Sequence, residues 1–176
     1  GYLHAIRLFQ IDMKICVFGG AGYVGSHFCH MARKSGHEVV IFDNFSTGHR
    51  FATEGFAVAE GDICDPLAVD SVLSQGFDAV CHFAAKSLVA ESVLNPSLYE
   101  KNNVEGTSSV LKAMRASKVK QLVFSSTAAV YGTPNSVTNV ISEAHDCNPV
   151  NPYGLSKLRA ENLIRDWVSS GSGSAF

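Results

Sequence analysis

Short, almost continuous apolar runs alternate along the chain with longer stretches in which apolar side chains recur every three or four positions. Lys14 to Phe18, Glu38 to Phe42, Phe56 to Glu60, Asp78 to Phe83 and Gln121 to Ser125 are rich in β-branched and aromatic residues. Such runs are expected of strands buried on both faces. The stretches between them are long enough for helical crossovers. The pattern predicts an α/β fold: a doubly wound parallel sheet with helices on both faces.

Helix starts are marked independently. Asp65-Pro66, Asn95-Pro96 and Asn151-Pro152 each set a capping side chain before a proline suited to the first helical position. The second helix is expected to run to about Arg115, with Leu98, Asn102, Leu111 and Met114 on its pattern. The third carries Leu158, Leu163, Ile164 and Trp167. These apolar positions are packing surface.

The pattern marks residues 13–170 as one domain. Residues 1–12 precede Met13 without joining the pattern and are expected to be an extension or remnant. Residues 171–176 hold Gly171, Gly173 and serines, which predicts a flexible tail. On that reading the sheet stops before its last strands and before a C-terminal substrate domain.

With 46% hydrophobic residues, the 176-residue chain can bury one sizeable core. Its 14 Lys and Arg against 16 Asp and Glu leave a net charge of −2. That balance provides no basic footprint for nucleic acid or an anionic membrane, and a small-molecule partner is expected instead. No apolar run reaches the roughly 18–20 residues of a membrane span. Cys16, Cys29, Cys64, Cys81 and Cys147 are scattered without metal-ligand spacing, so no metal site is expected. They read as buried reduced thiols, consistent with a cytoplasmic protein.

Candidate chemistry begins directly after the first apolar run. Gly19-Gly20-Ala21-Gly22-Tyr23-Val24-Gly25 contains G-x-x-G-x-x-G and, from Gly20, G-x-G-x-x-G. In a strand-to-helix turn these glycines let the backbone approach a pyrophosphate, whose charge is stabilised by the first amides of the helix. Asp43 ends the second strand, where an acidic side chain accepts from the ribose hydroxyls of a dinucleotide and repels a 2′-phosphate. The pair predicts a Rossmann-type site for NAD in preference to NADP. His49 and Arg50 lie close in sequence and read as loop residues.

Tyr153 and Lys157 lie one helical turn apart near the start of the third capped helix and project from one face. A tyrosine acts as a base near neutrality only where a positive charge favours its phenolate. Ser125, Ser126 and Thr127 follow the fifth strand, at the sheet edge where open α/β folds place ligands. Short hydroxyls there either align a substrate or satisfy backbone groups.

The glycine turn, Asp43-Asn44, Gly61-Asp62-Ile63, His82-Phe83-Ala84-Ala85, Asn102-Asn103-Val104, the Ser-Ser-Thr block and Asn151-Pro152-Tyr153-Gly154-Leu155-Ser156-Lys157 occur in order. In this the chain resembles the extended short-chain dehydrogenase/reductases, and among them the N-terminal, NAD-binding half of the UDP-glucose 4-epimerases. The resemblance runs from Met13 to about Val168. It implies cofactor contacts from Gly19, Gly22, Tyr23, Val24, Gly25, Asp43, Asn44, Ser46, Thr47, Gly48, Asp62, Ile63, Phe83, Ala84, Ala85, Asn102, Ser125, Tyr153 and Lys157. It implies Tyr153 as the base, Thr127 as a hydroxyl bonding the reacting sugar oxygen, and Lys157 as partner of the nicotinamide ribose.

The activity so implied is epimerisation of a UDP-hexose through a transient 4-keto sugar, with a homodimer as the expected assembly. Phe18 stands where threonine is usual in the family. Ser87 stands where some members have a lysine, with Lys86 one residue earlier. The related nucleotide-sugar 4,6-dehydratases carry Thr-Asp-Glu at the block beginning with Thr127; Ala128 and Ala129 here remove the acid and base that dehydration uses. Another NAD-dependent nucleotide-sugar epimerase or dehydratase, or a dinucleotide-binding module without catalysis, remain the alternatives.

Overall fold

The computed structural model describes residues 12–133 and 140–176. The extension expected over residues 1–12 lies outside the described residues except for Asp12. The element order is β1 (Lys14–Phe18), α1 (Tyr23–Lys34), β2 (Glu38–Asp43), β3 (Ala57–Glu60), α2 (Pro66–Leu73), β4 (Ala79–His82), α3 (Val89–Leu94), α4 (Pro96–Tyr99), a π-helical turn (Glu100–Glu105), α5 (Gly106–Ser117), β5 (Gln121–Phe124), α6 (Pro152–Ser169) and β6 (Ser174–Ala175). Short 3-10 turns occupy Arg50–Thr53 and Ala128–Tyr131.

All five expected strands form, and the parallel sheet has the order β3-β2-β1-β4-β5-β6. The chain winds outward from β1 in both directions, so the loops at the carboxyl ends of β1 and β4 diverge and open a crevice. Alternation along the strands divides the core. Cys16, Phe18, Val40, Phe42 and Leu122 pack with residues of α2, α5 and α6, while Ile15, Val17, Val39, Ile41 and Cys81 pack on the other face with α1. Each large side chain buried in this way contributes roughly 1.5–3 kcal/mol. The run ending at Glu60 departs from its expectation: β3 is an edge strand and mostly exposed.

Two of the three expected caps form. Asp65 accepts from the Leu67 and Ala68 amides, and Asn151 accepts from the Gly154 amide at 2.8 Å. Asn95 makes no side-chain cap, because it joins α3 to α4 with φ −133° and ψ 63°. The helix expected from there to Arg115 opens into a π-helical turn at Glu100–Glu105 before continuing as α5.

The tail expected over residues 171–176 is instead an ordered return to the sheet. Gly171 turns the chain at φ +72°. At Gly173 a Cβ would lie 2.1 Å from the Trp167 ring and 2.4 Å from the Lys120 carbonyl. The Ser174 amide then bonds Lys120 O at 2.8 Å, and the Phe176 amide bonds Leu122 O at 2.9 Å. These glycines allow a tight turn and close packing, and Ser174–Ala175 pairs with β5 as a sixth strand.

Of the five thiols, Cys16, Cys29 and Cys81 are buried as expected; Cys64 is half-buried and Cys147 is exposed. All five are free. Burial raises the Cys29 and Cys81 thiols to about 12, which leaves them protonated and unreactive near neutrality.

Candidate active site

A cavity of about 560 Å³ opens at the carboxyl edge of the sheet. Its rim is built by the loops after β1, β2, β4 and β5 and by the first turn of α6. Of the site residues expected from sequence, Gly19, Gly22, Tyr23, Val24, Gly25, Asp43, Asn44, Ser46, Thr47, Gly48, Ile63, Phe83, Ala84, Ala85, Asn102, Ser125, Tyr153 and Lys157 line it. Asp62 and Thr127 are not among the lining residues.

Three glycines of the turn are there for different reasons. Gly19 has φ +79°, and a Cβ on it would sit 2.5 Å from the Ala84 amide nitrogen, so the fold itself requires glycine. A Cβ on Gly25 would lie 2.2 Å from the Gly19 carbonyl, which lets α1 pack closely on the turn. Gly22 differs. Its φ of −78° suits any residue, and the nearest atom to an added Cβ is Gly19 O at 3.4 Å. Packing does not require glycine there, and leaving out the side chain keeps space open over the cavity. Gly22 also precedes α1, which has no side-chain cap and no acidic residue in its first turn. Uncapped amides beside open space fit the pyrophosphate of a dinucleotide.

At the end of β2, Asp43 is buried and held from two sides. The Ala21 amide donates to Oδ2 at 2.9 Å and the Phe45 amide to Oδ1 at 2.8 Å. Its carboxylate is thereby fixed at the cavity wall. Arg50 is engaged elsewhere, bonded to Glu60 at 2.9 Å and stacked over the Phe45 ring at 4.2 Å, while His49 stacks on Phe51. Asp62 braces the neighbouring loop: the Cys64 amide donates to it at 2.8 Å and the Asn44 side chain at 2.9 Å. Partial burial pushes the Asp62 carboxyl up, but these hydrogen bonds outweigh it and hold the group below its ordinary range.

On α6, Tyr153 stands edge-on to the ring of Tyr99, with centroids 6.3 Å apart. Lys157 is 3% exposed, and its Nζ lies 4.0 Å from the centroid of the Phe124 ring. Burial lowers the Lys157 ammonium to about 8, with Glu161 acting in the opposite direction. The lysine therefore remains charged at pH 7. Thr127 accepts from the Ala129 amide at 3.2 Å and caps the 3-10 turn, while Ser126 bonds Glu161.

Asn103 was named in the sequence only as part of a motif, but it organises the site. It is buried, donates to Lys86 O at 3.0 Å and to Ser156 Oγ at 2.9 Å, and accepts from the Lys86 amide at 2.8 Å. Asn102 also accepts from that amide, at 3.0 Å. The π-helical turn thus clamps the loop after β4 to α6. Lys86, Ser87, Leu88, Glu91 and Ser126 also line the cavity. Leu88 and Glu91 belong to no recognisable motif, and their place becomes visible only once α3 is set against α6.

Fold and cavity together define a doubly wound dinucleotide-binding domain with a Tyr-x-x-x-Lys pair at its open edge. The chain belongs to the NAD dependent epimerase/dehydratase family, whose model matches residues 15–176. It is 45% identical over 163 residues to the UDP-glucose 4-epimerase of Lactobacillus helveticus, an alignment covering 92% of this chain and 48% of that enzyme. It is 48% identical over 160 residues to the UDP-glucose 4-epimerase of Corynebacterium glutamicum, covering 90% and 47%. The crystal structure of UDP-glucose 4-epimerase from Brucella ovis in complex with NAD superposes with a TM-score of 0.89 at 38% identity, covering 94% of this chain and 50% of that one. The chain therefore spans about half the length of these relatives. Among the described residues, no helix is long and apolar enough to cross a membrane, and no cluster of His, Cys, Asp and Glu is placed to hold a metal.

Proposed function

We propose that the chain binds NAD and forms the cofactor and proton-transfer half of a nucleotide-sugar 4-epimerase acting on a UDP-hexose. The observation that carries this reading is the single cavity shared by the glycine turn and the Tyr153–Lys157 pair. The NAD seen in the Brucella ovis enzyme and the names of the relatives support it.

The amides opening α1 receive the pyrophosphate, and Asp43 receives the adenosine ribose. Lys157 binds the nicotinamide ribose and sets a cation one helical turn from the Tyr153 hydroxyl. Bound NAD supplies reversible two-electron redox chemistry. Tyr153 takes the proton of the sugar 4-hydroxyl as the 4-keto sugar forms, holds it while the sugar turns over, and returns it to the opposite configuration. Thr127 follows the lining residue Ser126 and is not itself in the cavity wall; its hydroxyl, which accepts from the Ala129 amide, still has a proton to donate to the oxygen of a bound sugar. No carboxylate follows it at Ala128 or Ala129, which favours epimerisation over dehydration.

Exposed Leu94, Leu98 and Leu155 on α3, α4 and α6 support a homodimer, and the free thiols support a cytoplasmic location. The test is turnover of UDP-glucose to UDP-galactose by the whole protein. Tyr153→Phe is expected to lower the rate by about 100-fold or more. Undiminished turnover would remove Tyr153 from the mechanism, and absence of turnover in the unmodified protein would remove the epimerase reading.

A further inference from the structure

Four strands carry a single rung of aromatic residues at or one residue before their carboxyl ends. In the parallel register Phe18 stands opposite both Phe42 and His82, and His82 stands opposite Phe124. Their rings follow one another at centroid distances of 4.9, 6.0 and 5.5 Å from Phe42 through Phe18 and His82 to Phe124. The next residue along each strand, Asp43, Gly19, Phe83 or Ser125, lines the cavity. The row therefore underlies the cavity, and the Lys157 ammonium sits over its last ring.

A buried ammonium ordinarily requires an anion or hydrogen-bond acceptors. Lys157 lines the cavity, and among the described residues none bonds its Nζ. The nearest acid along its own helix, Glu161, is engaged by Ser126 and Arg165. The face of an aromatic ring carries negative potential and attracts a cation, more strongly where water is excluded. His82 is prevented from opposing this. Thr107 Oγ1 gives its proton to Asn103 O at 2.6 Å, so its 3.1 Å contact with His82 Nε2 has the imidazole donating. His82 Nδ1 is buried without a partner, so a proton there would create an unpaired buried charge; burial, then the Lys157 charge, lowers the imidazole to about 3 and keeps the ring neutral.

We propose that Phe124 is a positioning residue for Lys157, its ring face holding the ammonium at the cavity in place of a hydrogen-bond acceptor, with His82 kept neutral behind it. The consequence for catalysis rests on the proposed role of Lys157; the contact itself does not. Other ionisable groups near Lys157 are Tyr153 and Glu161 on its own helix, Asp43, Lys86 and Glu91, which line the same cavity, and Tyr99 on α4, whose hydroxyl donates to Glu91 at 2.9 Å. Tyr131 closes the neighbouring 3-10 turn, Glu100 of the π-helical turn is paired with Arg159, and Arg115 of α5 bonds Ser170.

The experiment is an NMR titration of the full chain labelled with ¹³C-lysine, without cofactor, with the Lys157 signal assigned by its loss in Lys157→Arg. Phe124→Tyr and Phe124→Trp retain a ring and are expected to keep the midpoint within about 0.3 pH units of the unmodified protein, or above it. Phe124→Leu and Phe124→Met keep apolar bulk without a ring face and are expected to lower it by about 0.5–1 unit. Thermal melts show which variants fold, and Phe124→Met replaces Phe124→Leu if the latter does not. A purely structural role does not sort the midpoints by the presence of a ring, so midpoints that fail to sort overturn the proposal. NAD titrations of the same samples separate the two readings. Sorted midpoints without NAD binding leave the ring contact standing and remove the cofactor assignment, whereas NAD binding with unsorted midpoints does the reverse.

Discussion

Asn103 donates from its side-chain amide to Ser156 Oγ across 2.9 Å, and this bond joins the π-helical turn to the helix bearing Tyr153 and Lys157. Ser156 in turn donates to Tyr153 O at 2.7 Å. Replacing Asn103 with leucine leaves the Lys86 carbonyl without its side-chain donor and removes a partner from Ser156. The expected cost is about 1–3 kcal/mol in urea denaturation, with weaker NAD binding because the loop after β4 loses its clamp. An unchanged denaturation midpoint would show that Asn103 does not brace the site.

The glycine turn separates a folding requirement from a ligand requirement. Gly19→Ala meets a positive φ and the Ala84 backbone, whereas Gly22→Ala meets neither. Gly19→Ala is therefore expected to lose more than about 1 kcal/mol of stability, and Gly22→Ala less than about 0.5 kcal/mol. NAD affinity, measured by calorimetry, is expected to fall in both. Full NAD affinity in Gly22→Ala would mean that the space it leaves open is not used by the pyrophosphate.

Lys157 carries a stability cost with a definite pH dependence. Its proton leaves at about 8 in the folded chain, against 10.5 for an unperturbed lysine. Between those values unfolding takes up a proton, so this group makes stability rise with pH; below 8 the folded chain bears the full cost of the buried charge. Lys157→Met is expected to stabilise the chain at pH 7 by up to about 3 kcal/mol, an advantage that fades towards pH 10, while weakening NAD binding. Denaturation at the two pH values checks the sign. A destabilised variant at pH 7 would show that the site compensates the charge more fully than its burial implies.

The five strands, two of the three caps and most of the cavity lining were legible because each is a local pattern: an apolar run, an Asx-Pro pair, a glycine turn or a short motif. The misreadings arose where distant residues decide. Gly171 and Gly173 resembled a connector because the Trp167 ring and Lys120 carbonyl that enclose Gly173 cannot be read from the tail. Asn95 had the residue type of a cap but not the backbone, since α3 runs into α4 without room for one. The aromatic row beneath the cavity was invisible in the sequence, because strand register alone brings Phe18, His82 and Phe124 together.

The Asp43 carboxylate and the open glycine turn make this a site for NAD. The most direct test is calorimetric titration of the chain with NAD and with NADP under identical conditions. A fixed carboxylate facing a 2′-phosphate brings like charges together, so NAD is expected to bind at least about tenfold more tightly. Equal affinity for the two cofactors, or binding of neither, would contradict the assignment of the site to NAD.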